Sequence, residues 1–253
     1  MSGNGEPRVA LIGSLGPIVR AIPVIEALTG QEVTVIGGLA VIIRLGRAYR
    51  ATTDLDNVHR RGSHDEALLN VLLRQPGVSA ADQVGVTVDT PLGAVKVDIL
   101  EVADHELASL PADPTGRLHV MSHAWAAASA TRVLLHTRSP AGDDFEISSR
   151  VAEPGPLIAM KLQSVEDRPR DKAATDLWDI VQLITDVSTR DAASDQLRNC
   201  DPQLAADALL HANRWFTKEA GVTERRMNLV APVTRAQLAV TADLLTYSLS
   251  HPD

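Results

Sequence analysis

The feature that most constrains the fold is a change of hydrophobic period part-way along the chain. Up to about Pro154, segments alternating apolar and polar residues are interleaved with segments of helical period; beyond it only the helical period recurs. This pattern predicts an α+β amino-terminal domain with a mixed β-sheet, residues 1–153, followed by a helical domain, residues 154–253. Hydrophobic residues make up 45% of 253 positions, enough for one good core or two modest ones. Aromatic residues are only 3%, so those cores must be built from Ala, Val, Leu and Ile, and base stacking is not a main tool.

In the first half, Val9–Ile12 reads as a short strand or an extended arm and Pro17–Leu28 as an amphipathic helix, with Pro17 suited to its first turn and Pro23 an interruption. The β-branched run Glu32–Ile36 predicts a strand, Gly37-Gly38 a turn and Leu39–Leu45 a helix. Asp54–Val58 predicts a second strand and Glu66–Leu73 a helix. Val84–Val88 and Val95–Leu100 flank Thr90-Pro91-Leu92-Gly93 and read as a hairpin. Because strand side chains alternate, Val95, Val97 and Ile99 face the core while Lys96 and Asp98 face the other way, and Asp54 and Asp56 share a face. Further on, Ser122–Ala130 reads as a helix and Thr131–Thr137 and Asp144–Arg150 as strands. Pro156 is expected to open a helix carrying Lys161, and helices follow at Asp171–Val187, Pro202–Lys218 and Pro232–Ser250.

Two carboxylates two residues apart on a strand, with a third on another strand, supply the hard oxygen ligands that suit magnesium. Moving a nucleotidyl group requires a deprotonated attacking oxygen and neutralised phosphate charge, which two metal ions about 3.5–4 Å apart supply together. Asp54, Asp56 and Asp98 are the candidate ligands. Gly37-Gly38 ahead of a helix lets backbone N–H groups approach phosphate oxygens with no Cβ in the way.

The order of these parts, a strand, Gly37-Gly38, a helix, Arg50-Ala51-Thr52-Thr53-Asp54-Leu55-Asp56, then a strand with Asp98, resembles the nucleotidyltransferase superfamily of the DNA polymerase β type. More narrowly it is similar to the AbiEii toxin family, the enzyme half of type IV toxin–antitoxin pairs, from about Val33 to Ile184. Gly37, Gly38, Arg50, Thr53, Asp54 and Asp56 match one motif. Leu157–Lys161, Arg168, Lys172 and Asp176–Asp179 match a second. The resemblance implies a nucleotidyltransferase fold and two bound Mg2+ ions, with Mn2+ able to replace them. Asp54 and Asp56 would bridge both ions, and Asp98 would hold the ion near the nucleophile. Gly37, Gly38, Arg50, Thr53, Lys161 and Arg168 would bind the nucleoside triphosphate. Asp176 would be a further essential carboxylate that orients Lys161 or assists the substrate, with Asp179 its companion, so that the helical domain adds Lys161 and Asp176 to the active cleft. It also implies transfer of a nucleoside monophosphate to an acceptor hydroxyl, favouring the 3′ end of a transfer RNA, and neutralisation by a cognate antitoxin protein. Modification of a protein hydroxyl, or a catalytically silent nucleotide- or partner-binding member, are the alternative readings.

A formal charge of −8 argues against a broad basic surface for nucleic acid. A local basic groove between the two domains is therefore expected for RNA, with Arg50, His59, Arg60, Arg61, Lys161 and Arg168 as its nominees. The single Cys200 excludes an internal disulfide framework and reads as a packed thiol. His119 and His123 have zinc-like spacing without a completing ligand, and Ile12-Gly13-Ser14-Leu15-Gly16 reads as a turn. With no signal peptide and no apolar run of spanning length, a cytoplasmic protein without membrane contact is expected.

Overall fold

The computed structural model describes residues 6–11, 15–138 and 142–250. In chain order the elements are β1 (Arg8–Leu11), α1 (Gly16–Thr29), β2 (Thr34–Val35), α2 (Gly37–Leu45), β3 (Asp54–Arg61), α3 (Leu68–Leu73), β4 (Val78–Ala80), β5 (Gly85–Thr90), β6 (Gly93–Ala103), α4 (Asp104–Ala108), α5 (Pro114–Ser129), β7 (Thr131–Arg138) and β8 (Asp144–Val151). There follow α6 (Pro154–Asp167), α7 (Arg170–Thr185), α8 (Arg190–Arg198), α9 (Pro202–Ala212), a π-helical stretch (Asn213–Lys218), α10 (Ala220–Met227) and α11 (Arg235–Ser250). They divide into two compact units, one of the residues up to His105 together with Ala126–Ala152, the other of Glu106–Trp125 together with the chain from Glu153 onward. The turn read at Ile12-Gly13-Ser14 lies outside the described residues.

The first unit holds an eight-stranded mixed sheet in the order β1-β7-β8-β2-β3-β6-β5-β4. The fold is α+β, as the periodicity predicts. β3 runs parallel to β6 in its interior, and β5 and β6 form the antiparallel hairpin. Thr90 closes that hairpin by donating its hydroxyl to the Gly93 carbonyl at 2.7 Å, and Gly93 takes the positive φ of 112° that a side chain would resist. Val95, Val97 and Ile99 are buried and Lys96 and Asp98 only partly so, which is the alternation read from the sequence.

β2 is shorter than the expected Glu32–Ile36, at two residues. Its attachment is completed by a side chain: buried Asn57 accepts the Thr34 N–H at 2.8 Å, the Ile36 N–H reaches the Asp56 carbonyl at 3.0 Å, and the Ala152 N–H reaches the Val35 carbonyl at 2.9 Å. The diglycine is not a turn ahead of the helix but the first two residues of α2. α2 is apolar nearly all round and correspondingly buried from Gly38 to Ile43. At its far end Arg44 donates to the Ala152 carbonyl at 2.9 Å and the Thr131 hydroxyl at 2.9 Å.

In the second unit α6 is buried along almost its whole length and opens at Pro154 rather than Pro156. Its first turn is tied down by Gln196, whose Oε1 accepts the Gly155 N–H at 2.7 Å. Asp201 caps α9 by accepting the Gln203 and Leu204 N–H groups at 2.8 and 3.2 Å, with Pro202 in the first turn. The helix expected over Pro202–Lys218 changes to π geometry at Asn213, around buried Trp215 and Phe216. Burial pushes the Cys200 thiol up to about 11. Among the described residues no helix is long and apolar enough to cross a membrane.

Candidate active site

The first unit gathers its chemistry along the β3–β6 pair. Asp54 and Asp56 are two residues apart on β3 and share its face, with Leu55 buried between them on the opposite side. In the parallel register Asp54 stands opposite Lys96, and Asp56 opposite Asp98. Partners in a ladder point to the same face, so three carboxylates from two neighbouring strands line one surface of the sheet. Thr53 donates its hydroxyl to Asp54 Oδ1 at 2.9 Å.

The amino end of α2 adjoins this row. Gly37 has φ +63°, and a Cβ there would overlap the Asp56 carboxylate. A Cβ on Gly38 would stand 2.6 Å from an Arg50 guanidinium nitrogen and 3.0 Å from the Thr52 hydroxyl. The two glycines thus let the helix start press against Asp56 on one side and Arg50 on the other. The first N–H groups of a helix have no intrahelical acceptor and carry its positive end, which suits a phosphate oxygen. Gly37, Gly38, Arg50, Thr53, Asp54, Asp56 and Asp98 all belong to this one unit. Thr52, not singled out from the sequence, is the threonine whose hydroxyl lies against Gly38.

Lys96 is a second such addition. Its ammonium stands 3.0 Å from Asp98 Oδ1 and 2.8 Å from Asp82 Oδ2. Its pKa is raised above the ordinary lysine value, chiefly by the hydrogen bond to Asp82 and then, against partial desolvation, by Asp98. The Asp82 carboxyl is held below its usual range, first by Lys96 and then by the Val84 N–H. β5 passes alongside at Gly85, the register partner of Asp98, where a Cβ would come within 2.5 Å of Asp98 Oδ1 and 2.9 Å of Asp82 Oδ1. Lys96 was legible in the sequence as a residue on the Asp98 face; Asp82 and Gly85 depend on a loop conformation and a strand register that no local pattern announces.

The donor set suits a hard divalent cation in kind, since it offers only carboxylate oxygens, and in register, since Asp56 and Asp98 are opposed. Asp98 Oδ1 is moreover buried without a hydrogen bond, Lys96 donating instead to Oδ2 of the same carboxylate at 3.3 Å. The cage is not closed as it stands: among the described residues, no group of three or more His, Cys, Asp or Glu is arranged to hold a metal ion.

No family model and no curated protein matches the chain in sequence. Among solved structures it is similar to the cyclic dinucleotide synthase CdnE of Elizabethkingia meningoseptica, in a structure with GTP and Apcpp, at 12% identity over 96% of this chain and 95% of that one, with a TM-score of 0.27. At that TM-score the likeness is too loose to bear on fold or function.

Lys161, Asp176, Asp179 and Arg168 come together within the second unit. The Lys161 side chain is 6% exposed, and its ammonium lies 2.8 Å from Asp176 Oδ1 and 2.6 Å from Asp179 Oδ2. Asp176 also accepts from the Ser164 hydroxyl at 2.9 Å and from Arg168 at 3.1 Å. One turn of α7 thus presents two carboxylates to a lysine of α6. Nearby in the same unit, the His123 ring lies 4.1 Å from that of His119 and donates to the His119 carbonyl at 2.7 Å. Burial, with the charge of His119, pushes His123 down to about 3, so it stays neutral.

The cluster His59-Arg60-Arg61 is at the other end of β3 from Asp54. At about 3.3 Å per residue, Arg61 is roughly 23 Å along the strand from Asp54. Arg60 there pairs with Asp104 at 2.9 Å and Arg61 leans towards the Asp65 carbonyl at 3.5 Å.

Proposed function

We propose that this chain is a magnesium-dependent nucleotidyltransferase that moves a nucleoside monophosphate from a nucleoside triphosphate to an acceptor hydroxyl and releases pyrophosphate. The observation that carries the reading is the shared face of Asp54, Asp56 and Asp98, with the glycine start of α2 against Asp56. Asp54 and Asp56 on β3 and Asp98 on β6 would hold the ions, which when bound supply neutralising charge to the phosphates and acidify the acceptor hydroxyl. The N–H groups at the start of α2 and the Arg50 guanidinium offer donors for phosphate oxygens beside that face. The Thr53 hydroxyl fixes the rotamer of Asp54 through its 2.9 Å bond.

The motif resemblance supports the 3′ end of a transfer RNA as the acceptor, the toxin half of a type IV pair as the biological role, and a cognate antitoxin as partner. It also supports a part for Lys161, Arg168 and Asp176 in handling the triphosphate. Their enclosure in an ion-pair network favours Lys161 as a charge held in place over one that reaches freely into solvent. The test incubates the protein with Mg2+, each α-labelled triphosphate and total cellular RNA, beside Asp56→Ala. Label on small RNA that the variant loses is the expected result. Label on polypeptide moves the assignment to protein modification, and no label with any triphosphate overturns the reading.

A further inference from the structure

We infer that Lys96 is a built-in cation of the carboxylate face, that a divalent ion must displace it from Asp98, and that Asp82 is the carboxylate that receives it. The inference rests on the reading of Asp98 as a metal ligand. Lys96 precedes Asp98 by two residues on β6, so both side chains leave the strand on one face, and its own register partner is Asp54. Its stem therefore rises within the row of acids, and its ammonium ends between Asp98 and Asp82.

The geometry gives the two contacts different characters. Asp98 is the more buried partner, at 17% side-chain exposure; it accepts from Lys96 at Oδ2 over a long 3.3 Å, while its Oδ1, 3.0 Å from the ammonium, has no directed hydrogen bond. Asp82 is 45% exposed, lies 2.8 Å from the ammonium, and is fixed in place by the Val84 N–H donating to its Oδ1 at 3.1 Å. The absence of a side chain at Gly85 leaves room for both carboxylates and the lysine stem, 3.2 Å from its Cβ position, to share one pocket. An ammonium and a divalent ion on the same carboxylate repel each other. A lysine held by Asp98 alone would have to be stripped of its counter-charge to admit the metal; a lysine already shared with Asp82 keeps one partner as it leaves. Asp82 is accordingly a positioning residue that acts on metal affinity through Lys96.

The two substitutions therefore have opposite signs. Lys96→Met removes the competing charge and keeps the length of the stem, and should tighten Mn2+ binding to the full chain by about tenfold, the factor that ~1.4 kcal/mol of removed repulsion gives. Asp82→Asn leaves the ammonium to Asp98 and should weaken binding by a similar factor. A merely structural role would loosen the site in both. Calorimetric titration or the electron spin resonance of Mn2+, with circular dichroism to confirm folding, reads the result, and Asp56→Ala serves as the site control. If Asp56→Ala abolishes binding while Lys96→Met and Asp82→Asn match the wild type or both weaken it, the Lys96 inference is overturned and the site reading stands. If binding is indifferent to Asp56→Ala, or neither wild type nor Lys96→Met binds Mn2+, both are overturned. Binding by Lys96→Met alone supports the inference in its strongest form.

Discussion

Gly37 carries two constraints at once. Its φ of +63° lies in the left-handed region, and its missing side chain makes the space the Asp56 carboxylate occupies. Gly37→Ala is expected to lower stability by about 1–2 kcal/mol through backbone strain alone, and transfer activity by far more than that loss explains, because the new methyl displaces Asp56. Denaturant unfolding beside activity at a temperature where the variant is folded checks it; an active Gly37→Ala would remove Gly37 from the site. The pairing of glycines with carboxylates was legible in the sequence because both sit in local motifs. Lys96 and Asp82 form a pair 14 residues apart, and only the β5–β6 register and the turn before β5 bring them together. Asn57 is a comparable case: its alternation suggested nothing beyond a strand position, yet its side chain supplies a bond that short β2 lacks.

The elements of the second unit show where helical reading works and where it thins out. α6 and α7 were legible because each presents a broad apolar face and α11 through its narrow stripe of Leu238, Leu245 and Leu249, whereas α8 buries only Ala193 and Leu197 and α10 only Thr223 and Met227, too few to rise above the polar background. The joint of α6 and α7 is ionic at its centre, and burying an ion pair is stabilising only while the pair is complete. Lys161→Met is expected to cost about 3–5 kcal/mol, since the ammonium shared by Asp176 and Asp179 is lost from a buried place. The triple change with Asp176→Asn and Asp179→Asn should recover part of that. Chemical denaturation measures both, and a Lys161→Met variant as stable as the wild type would contradict the network's structural weight. Loss of transfer by a Lys161 variant thus counts as evidence for a catalytic part only where folding is shown intact.

For the molecule as a whole, the net charge of −8 sets the terms on which it would meet a polyanion. Long-range attraction to RNA is weak for such a chain, so the proposed RNA acceptor would have to be recognised by short-range donors, and labelling is expected at its reactive end. The period change near Pro154 foretold an α+β part and a helical part; that Glu106–Trp125 clusters with the helical residues is a matter of tertiary packing, which a periodicity cannot carry. The central claim is that the Asp54, Asp56 and Asp98 face transfers the α-phosphoryl end of a triphosphate. Parallel reactions with α- and γ-labelled triphosphate, Mg2+ and cellular RNA test it most directly. The account predicts α-label on the acceptor, γ-label in pyrophosphate alone, and neither product with Asp98→Asn; γ-label on the acceptor, or α-label that survives Asp98→Asn, would contradict it.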